Sequence, residues 1–76
     1  MSLLPPTTRH AVVQALSTVR IHEQEFVDVS FALEDEPETL RIARLGKADI
    51  DGAIEPGATV QIRFVMGVAT SVKRTG

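Results

Sequence analysis

The groups with chemistry to offer in this 76-residue sequence are two histidines, ten carboxylates and eight lysine or arginine side chains; there is no cysteine, tyrosine or tryptophan. His10 and His22 lack the close His-x-His or His-x3-His spacing that places two imidazoles on one metal ion. They would meet, with Glu23 or Glu25, only if the intervening chain folded back, so both are read as surface histidines and no metal site is expected. Asp49-x-Asp51-Gly52 with Glu55 matches the opening of a calcium loop but not its later ligand positions. A short helix start followed by a turn accounts for it. Ser17, Ser30 and Ser71 lie inside alternating apolar patterns with no histidine at a useful distance. Neither a nucleophile elbow nor a glycine-rich phosphate loop is present. Adjacent carboxylates occur only in the acidic stretch Glu34–Glu38. The expectation is a non-enzymatic chain without a cofactor.

The cations are the more suggestive groups. Arg41, Arg63 and Lys73 are expected on the outward parity of their strands, with Gln61 and Ser71 as polar neighbours. Arg44, Lys47 and Arg74 would extend such a basic face, while Glu23, Glu25, Asp28 and the 34–38 turn gather negative charge elsewhere. A solvated exterior explains the same residues, because exposed sheet faces are commonly polar. The segregation of sign admits a contact face for an acidic partner. Phe31 and Phe64 share parity with core positions. Phe26 alone falls on the opposite side of its strand, as a plug at the barrel end or as a platform for a base. The net charge of −2 has the wrong sign for a general phosphate binder. A protein partner is therefore favoured, with single-stranded nucleic acid as the alternative on the same residues. Self-association, motivated by small size and the outward Val65, is the third reading. A barrel of this size encloses little room for a small-molecule ligand.

These side chains must be positioned by short strands. Residues 1–8 read as a loose lead-in, and 9–74 as one domain. From His10 to Ile21 the β-branched residues favour a long bent strand, although Val12, Val13, Leu16 and Val19 also fit a helix. Val27, Val29, Phe31 and Leu33 alternate with polar or small residues, the period of a half-buried strand. The acidic turn leads to a third strand over Thr39–Leu45, with Leu40 and Ile42 facing inward. Ala48, Ile50, Ala53 and Ile54 predict a short helical connector, weakened at Gly52 by about 1 kcal/mol relative to alanine. Pro56-Gly57 suits the centre of a type II turn. Val60, Ile62, Phe64 and Met66 then alternate along a fourth strand. Gly67 allows a turn into Val68–Lys73, with Val68 and Val72 on one face.

The class predicted is mainly β: a small five-stranded OB-like barrel with a short helical connector between strands 3 and 4. An SH3-like barrel, or an α+β sheet with residues 8–17 helical, is the alternative. Such a chain buries only about 60–65% of its unfolded surface, and no disulfide can add to its stability. Its composition, 43% hydrophobic and 24% charged, is that of a globular protein. Met1–Pro6 carries no basic start and no apolar run, and no stretch approaches the length of a membrane helix. A cytoplasmic location is expected on those grounds.

Three segments carry a resemblance. They are Phe31-Ala32-Leu33-Glu34-Asp35-Glu36-Pro37, Leu40 through Gly46, and Ile54-Glu55-Pro56-Gly57 running on to Phe64. Together they are similar to the small OB domains found beside a zinc ribbon in acyl-CoA-associated proteins. The resemblance covers about residues 25–73 and implies the barrel fold. The zinc ribbon itself is absent, for want of cysteines, and no functional residue of that family is carried over.

Overall fold

The structure is a computed structural model and describes residues 5–76; the first four residues of the expected lead-in lie outside the described range. Six strands run in the order β1 (Thr7–Ile21), β2 (Gln24–Leu33), β3 (Arg41–Gly46), β4 (Ile50–Asp51), β5 (Thr59–Val65) and β6 (Val68–Arg74). Pairing already begins at Thr7 and Thr8, opposite Phe64 and Arg63, so the ordered sheet starts ahead of residue 9. In space the order is β3-β2-β1-β5-β6-β4. The sheet is curled into a half-barrel.

β1 organises the fold because it pairs with β5 through its first half and with β2 from Ala11 onward. Fifteen straight residues would span about 46 Å, longer than the molecule's largest dimension of 39 Å. The strand therefore bends, and the bend has a residue attached to it. Val13 lies opposite Phe31 but Ala15 lies opposite Ser30, which leaves Gln14 as the extra residue of a β-bulge. Ala11 and Val13 face inward before the bulge and Leu16 after it. The three-residue step from Val13 to Leu16 is what imitates a helical period in the sequence. The loop before β5 seals this point, since the Gly57 N–H donates to the Val13 carbonyl (2.8 Å) and the Val13 N–H to that of Ala58 (2.9 Å). Gly57, at φ 91°, occupies the expected turn, closed by the Ala58 N–H on the Glu55 carbonyl at 3.0 Å.

Five expectations are corrected. There are six strands, not five. The helical connector is a single 3-10 turn, Lys47–Asp49, followed by the two residues of β4. The turn ends at Ile50, whose backbone is already extended, and Gly52, at φ 95°, lies so close to β6 that a Cβ on it would come within 3.0 Å of the Arg74 Cβ. β3 is out of phase with the expected pattern by one residue: Ala43 and Leu45 lie opposite Val29 and Val27 on the inner face, whereas Leu40 and Ile42 are exposed. A one-residue slip exchanges the faces of a strand completely. Finally, Val68 and Val72 do not share a face. Thr70 is an extra residue in β6, between Ser71 opposite Arg63 and Ala69 opposite Phe64, and its hydroxyl donates to the Arg63 carbonyl at 3.2 Å. Met66 is not in a strand either; with Gly67 it makes the β5–β6 turn, both residues having positive φ (53° and 80°).

The core consists of Ala11, Val13, Val29, Phe31, Leu33, Leu45, Val60, Ile62 and Val72, all essentially without solvent contact. Among the described residues no polar or charged side chain is buried. No helix there is long and apolar enough to cross a membrane.

Candidate functional site: an open seam between two sheet edges

β3 is antiparallel to β2, β2 to β1, β1 to β5 and β5 to β6. Four reversals leave β3 and β6, the two strands that would have to meet for the barrel to close, parallel to each other. They are joined at one end only. β3 runs through the 3-10 turn into β4, and β4 pairs in parallel with β6 at Ile50–Val72 and Asp51–Lys73. Toward the start of β3 the two edges stay apart. A groove of about 330 Å³ lies there, lined by Arg41, Ile42, Ala43 and Arg44 of β3 and by Gly67, Val68 and Ala69 on the other side. Phe31 and Phe64 line its inner side, their ring centroids 6.5 Å apart and tilted by 55°. A second cavity of about 240 Å³ adjoins it and shares Arg41, Phe64 and Gly67 with it; Pro5, Thr7, Arg9, Leu33 and Met66 complete its wall. Phe64 was expected in the core and is only half-buried, because it lies at this open end.

Among the described residues, the large apolar side chains left exposed are Leu40 (62%), Ile42 (67%), Met66 (69%) and Val68 (63%). Ile42, Met66 and Val68 line one or other cavity, and Leu40 directly precedes Arg41. These four side chains thus lie on or beside the two flanks of one seam. Three arginines border it, each held from outside the cavity by a carboxylate. Arg9 Nη2 donates to both oxygens of Asp35 (2.7 and 2.8 Å) and Arg41 Nη2 to Glu36 Oε1 (2.8 Å). Arg44 meets Asp28 side-on, Nε to Oδ1 at 2.8 Å and Nη2 to Oδ2 at 3.1 Å. Those two bonds hold the Asp28 carboxyl below the usual aspartate value and raise Arg44 above the usual guanidinium value. No carboxylate lines either cavity.

The residues singled out from sequence do not form one face. Arg41 lies opposite Phe31, on the inner parity of β3, at the mouth of the seam. Arg63 and Lys73 are on the outer face of β5 and β6, opposite Ser71 and Gln61, and make no ion pair among the described residues. Phe26, half-buried, sits opposite Gly46 on one side and Val19 on the other. Arg63 is opposite Thr8, so roughly 30 Å of β1 lies between Arg63 and Phe26. Of the possible extensions, Lys47 pairs with Glu25 at 2.9 Å, and Arg74 donates to the Ala53 carbonyl at 2.7 Å. His10 lies opposite Gln61 within the sheet, while His22 forms the β1–β2 turn at the far end of the strand. Ile42, Val68 and Met66 are the site residues that parity missed. Their signal was their apolar character next to Arg41 and Gly67, hidden by the assumed register of β3 and by the bulge at Thr70. Comparison with known protein families, with curated proteins and with solved structures finds no match for this chain.

Proposed function

We propose that this chain is a non-enzymatic binding module built on an OB-like barrel, that its partner is a protein, and that the partner docks at the seam. One observation carries the proposal: of the large apolar side chains exposed among the described residues, Ile42 and Val68 line the groove, Met66 lines the cavity adjoining it, and Leu40 directly precedes Arg41 at its mouth. Apolar surface gathered in this way beside arginines has the composition of a protein contact site. The OB-like reading is supported by the connectivity, in which β1 pairs with two neighbours and the third strand continues into a parallel contact with the last. Nucleic acid is the second reading, favoured by the unpaired Arg63 and Lys73; it loses Phe26, which lies too far away to share a strand of nucleotides with them.

The test is selection from a displayed random-peptide library on the immobilised chain, with an Ile42→Ala/Val68→Ala variant as counter-screen. Both positions are exposed, so the variant should fold. Enrichment of peptides that bind the variant at least about tenfold more weakly is the expected outcome, as truncating a central apolar anchor costs that much or more. A selection without enrichment, or peptides indifferent to the variant, overturns the proposal. Amide shifts around Arg63 and Lys73 with a mixed-sequence single-stranded oligonucleotide would put the second reading first.

A further inference from the structure

We infer, resting on the docking role just proposed, that the partner enters the seam as a single extended strand, antiparallel to both β3 and β6, with apolar side chains alternating with acidic ones. The backbone is the first reason. β3 is paired only toward β2, and β6 between Val68 and Ser71 only toward β5. At every second residue along the β3 edge an N–H and a C=O therefore face the gap, and β6 offers unpaired groups on either side of its bulge at Thr70, an arrangement that templates a further strand. A helix, whose backbone groups are internally paired, has nothing to offer these edges and is about 10 Å thick. The direction follows from topology. Because β3 and β6 are parallel to each other, one incoming strand can run antiparallel to both, the more stable pairing. From Arg41 to Leu45 the edge spans five residues, about the length of an ordinary strand.

Side chains supply the specificity. Alternate residues of the incoming strand would point inward, over Phe31 and Phe64 and between the small Ala43 and Ala69, where apolar groups are favoured. Residues between them would point outward past Arg44, and the residue at the mouth would meet Arg41 and Arg9. The arginines are held in place by Asp28, Glu36 and Asp35 before any partner arrives. Each guanidinium lines one of the two cavities while its carboxylate lines neither, so an acidic side chain entering the seam meets the cationic side of three ion pairs.

The probe is an acetylated peptide of about nine residues, long enough to span the edge, that alternates valine with glutamate. Amide hydrogen exchange of the labelled full chain is followed by NMR with and without it. Alternate amides of Arg41–Leu45 and the gap-facing amides of Val68–Ser71 should slow by about tenfold or more, as edge groups become paired. Replacing the glutamates by lysine should weaken binding by about tenfold, and N-methylating alternate backbone nitrogens should abolish it. Binding that protects neither edge, or that survives N-methylation, overturns strand addition and leaves the docking role standing. A chain that selects peptides from the library but ignores the alternating probe likewise overturns this inference alone. A chain that selects none removes both.

Discussion

At the scale of single residues, the pair most open to test is Asp28–Arg44, which ties β2 to the seam-lining edge of β3. Two hydrogen bonds hold a carboxyl that is still in contact with solvent, and its proton affinity is lowered chiefly by the bond from Arg44. A carboxylate whose folded-state pKa is depressed contributes stability above its unfolded pKa and loses it as pH falls through the folded value. In Asp28→Asn the difference from wild type should therefore be largest near neutrality and shrink as pH drops below about 4. It should also shrink in concentrated salt, because exposed pairs are screened. Urea titrations of both proteins at neutral and strongly acid pH measure it. A gap that is constant with pH would mean that the pair contributes only through packing.

At the scale of elements, the two bulges decide which face each side chain takes. Deleting Gln14 removes the extra residue of β1 and leaves a regular strand with the same partners, Ala15 opposite Ser30 and Leu16 opposite Val29, so what is lost is the bend. Without the bend β1 no longer holds both β2 and β5 in place, and we expect a loss of about 3 kcal/mol, a large part of the stability a domain of this size possesses. Gln14→Ala, which keeps the residue count, should stay within about 0.5 kcal/mol of wild type. Equal stability of the two variants in denaturant would show that the fold does not depend on the bend. The same devices mark the limit of what the sequence discloses. β2 and the body of β5 were legible because their alternation is unbroken, and the Pro56-Gly57 turn because its residue types demand it. β1 was ambiguous since the bulge inserts a step of three into a period of two. β3 was misphased because two apolar residues, Leu40 and Ile42, stand where an inward pair would stand, and only the pairing of Leu45 with Val27 decides otherwise. The helical spacing of Ala48, Ile50, Ala53 and Ile54 was accidental, a tight turn and a two-residue strand read as one element. The seam could not be read at all. It depends on the parallel relation of β3 and β6, which no local pattern encodes.

At the scale of the whole molecule, the half-barrel is open on one side and closed on the other, and the closed end has few fastenings. β4 contributes two paired residues, and beyond it the Arg74 guanidinium reaches back to the Ala53 carbonyl at 2.7 Å while its Nε donates to the Gly76 carbonyl at 2.8 Å. One side chain thus holds the end of β6 against the segment that follows β4. Replacing it in Arg74→Met keeps the aliphatic stem and removes both bonds. A cost of about 1 kcal/mol is expected, which lowers the melting temperature of so small a domain by about 4–8 °C. The location of the damage is more diagnostic than its size. If the closed end is what keeps β3 and β6 in line, exchange should quicken at Ile50, Asp51, Val72 and Lys73 and spread along the edges of β3 and β6, while the β1–β2 pairing keeps its protection. An opening confined to Ala53 and Gly76 would mean that the curvature of the sheet alone holds the seam. Uniform loss of protection would mean that the barrel opens only by unfolding as a whole. The first outcome makes the width of the seam, and with it the affinity for an entering strand, adjustable from a residue at the opposite end of β6.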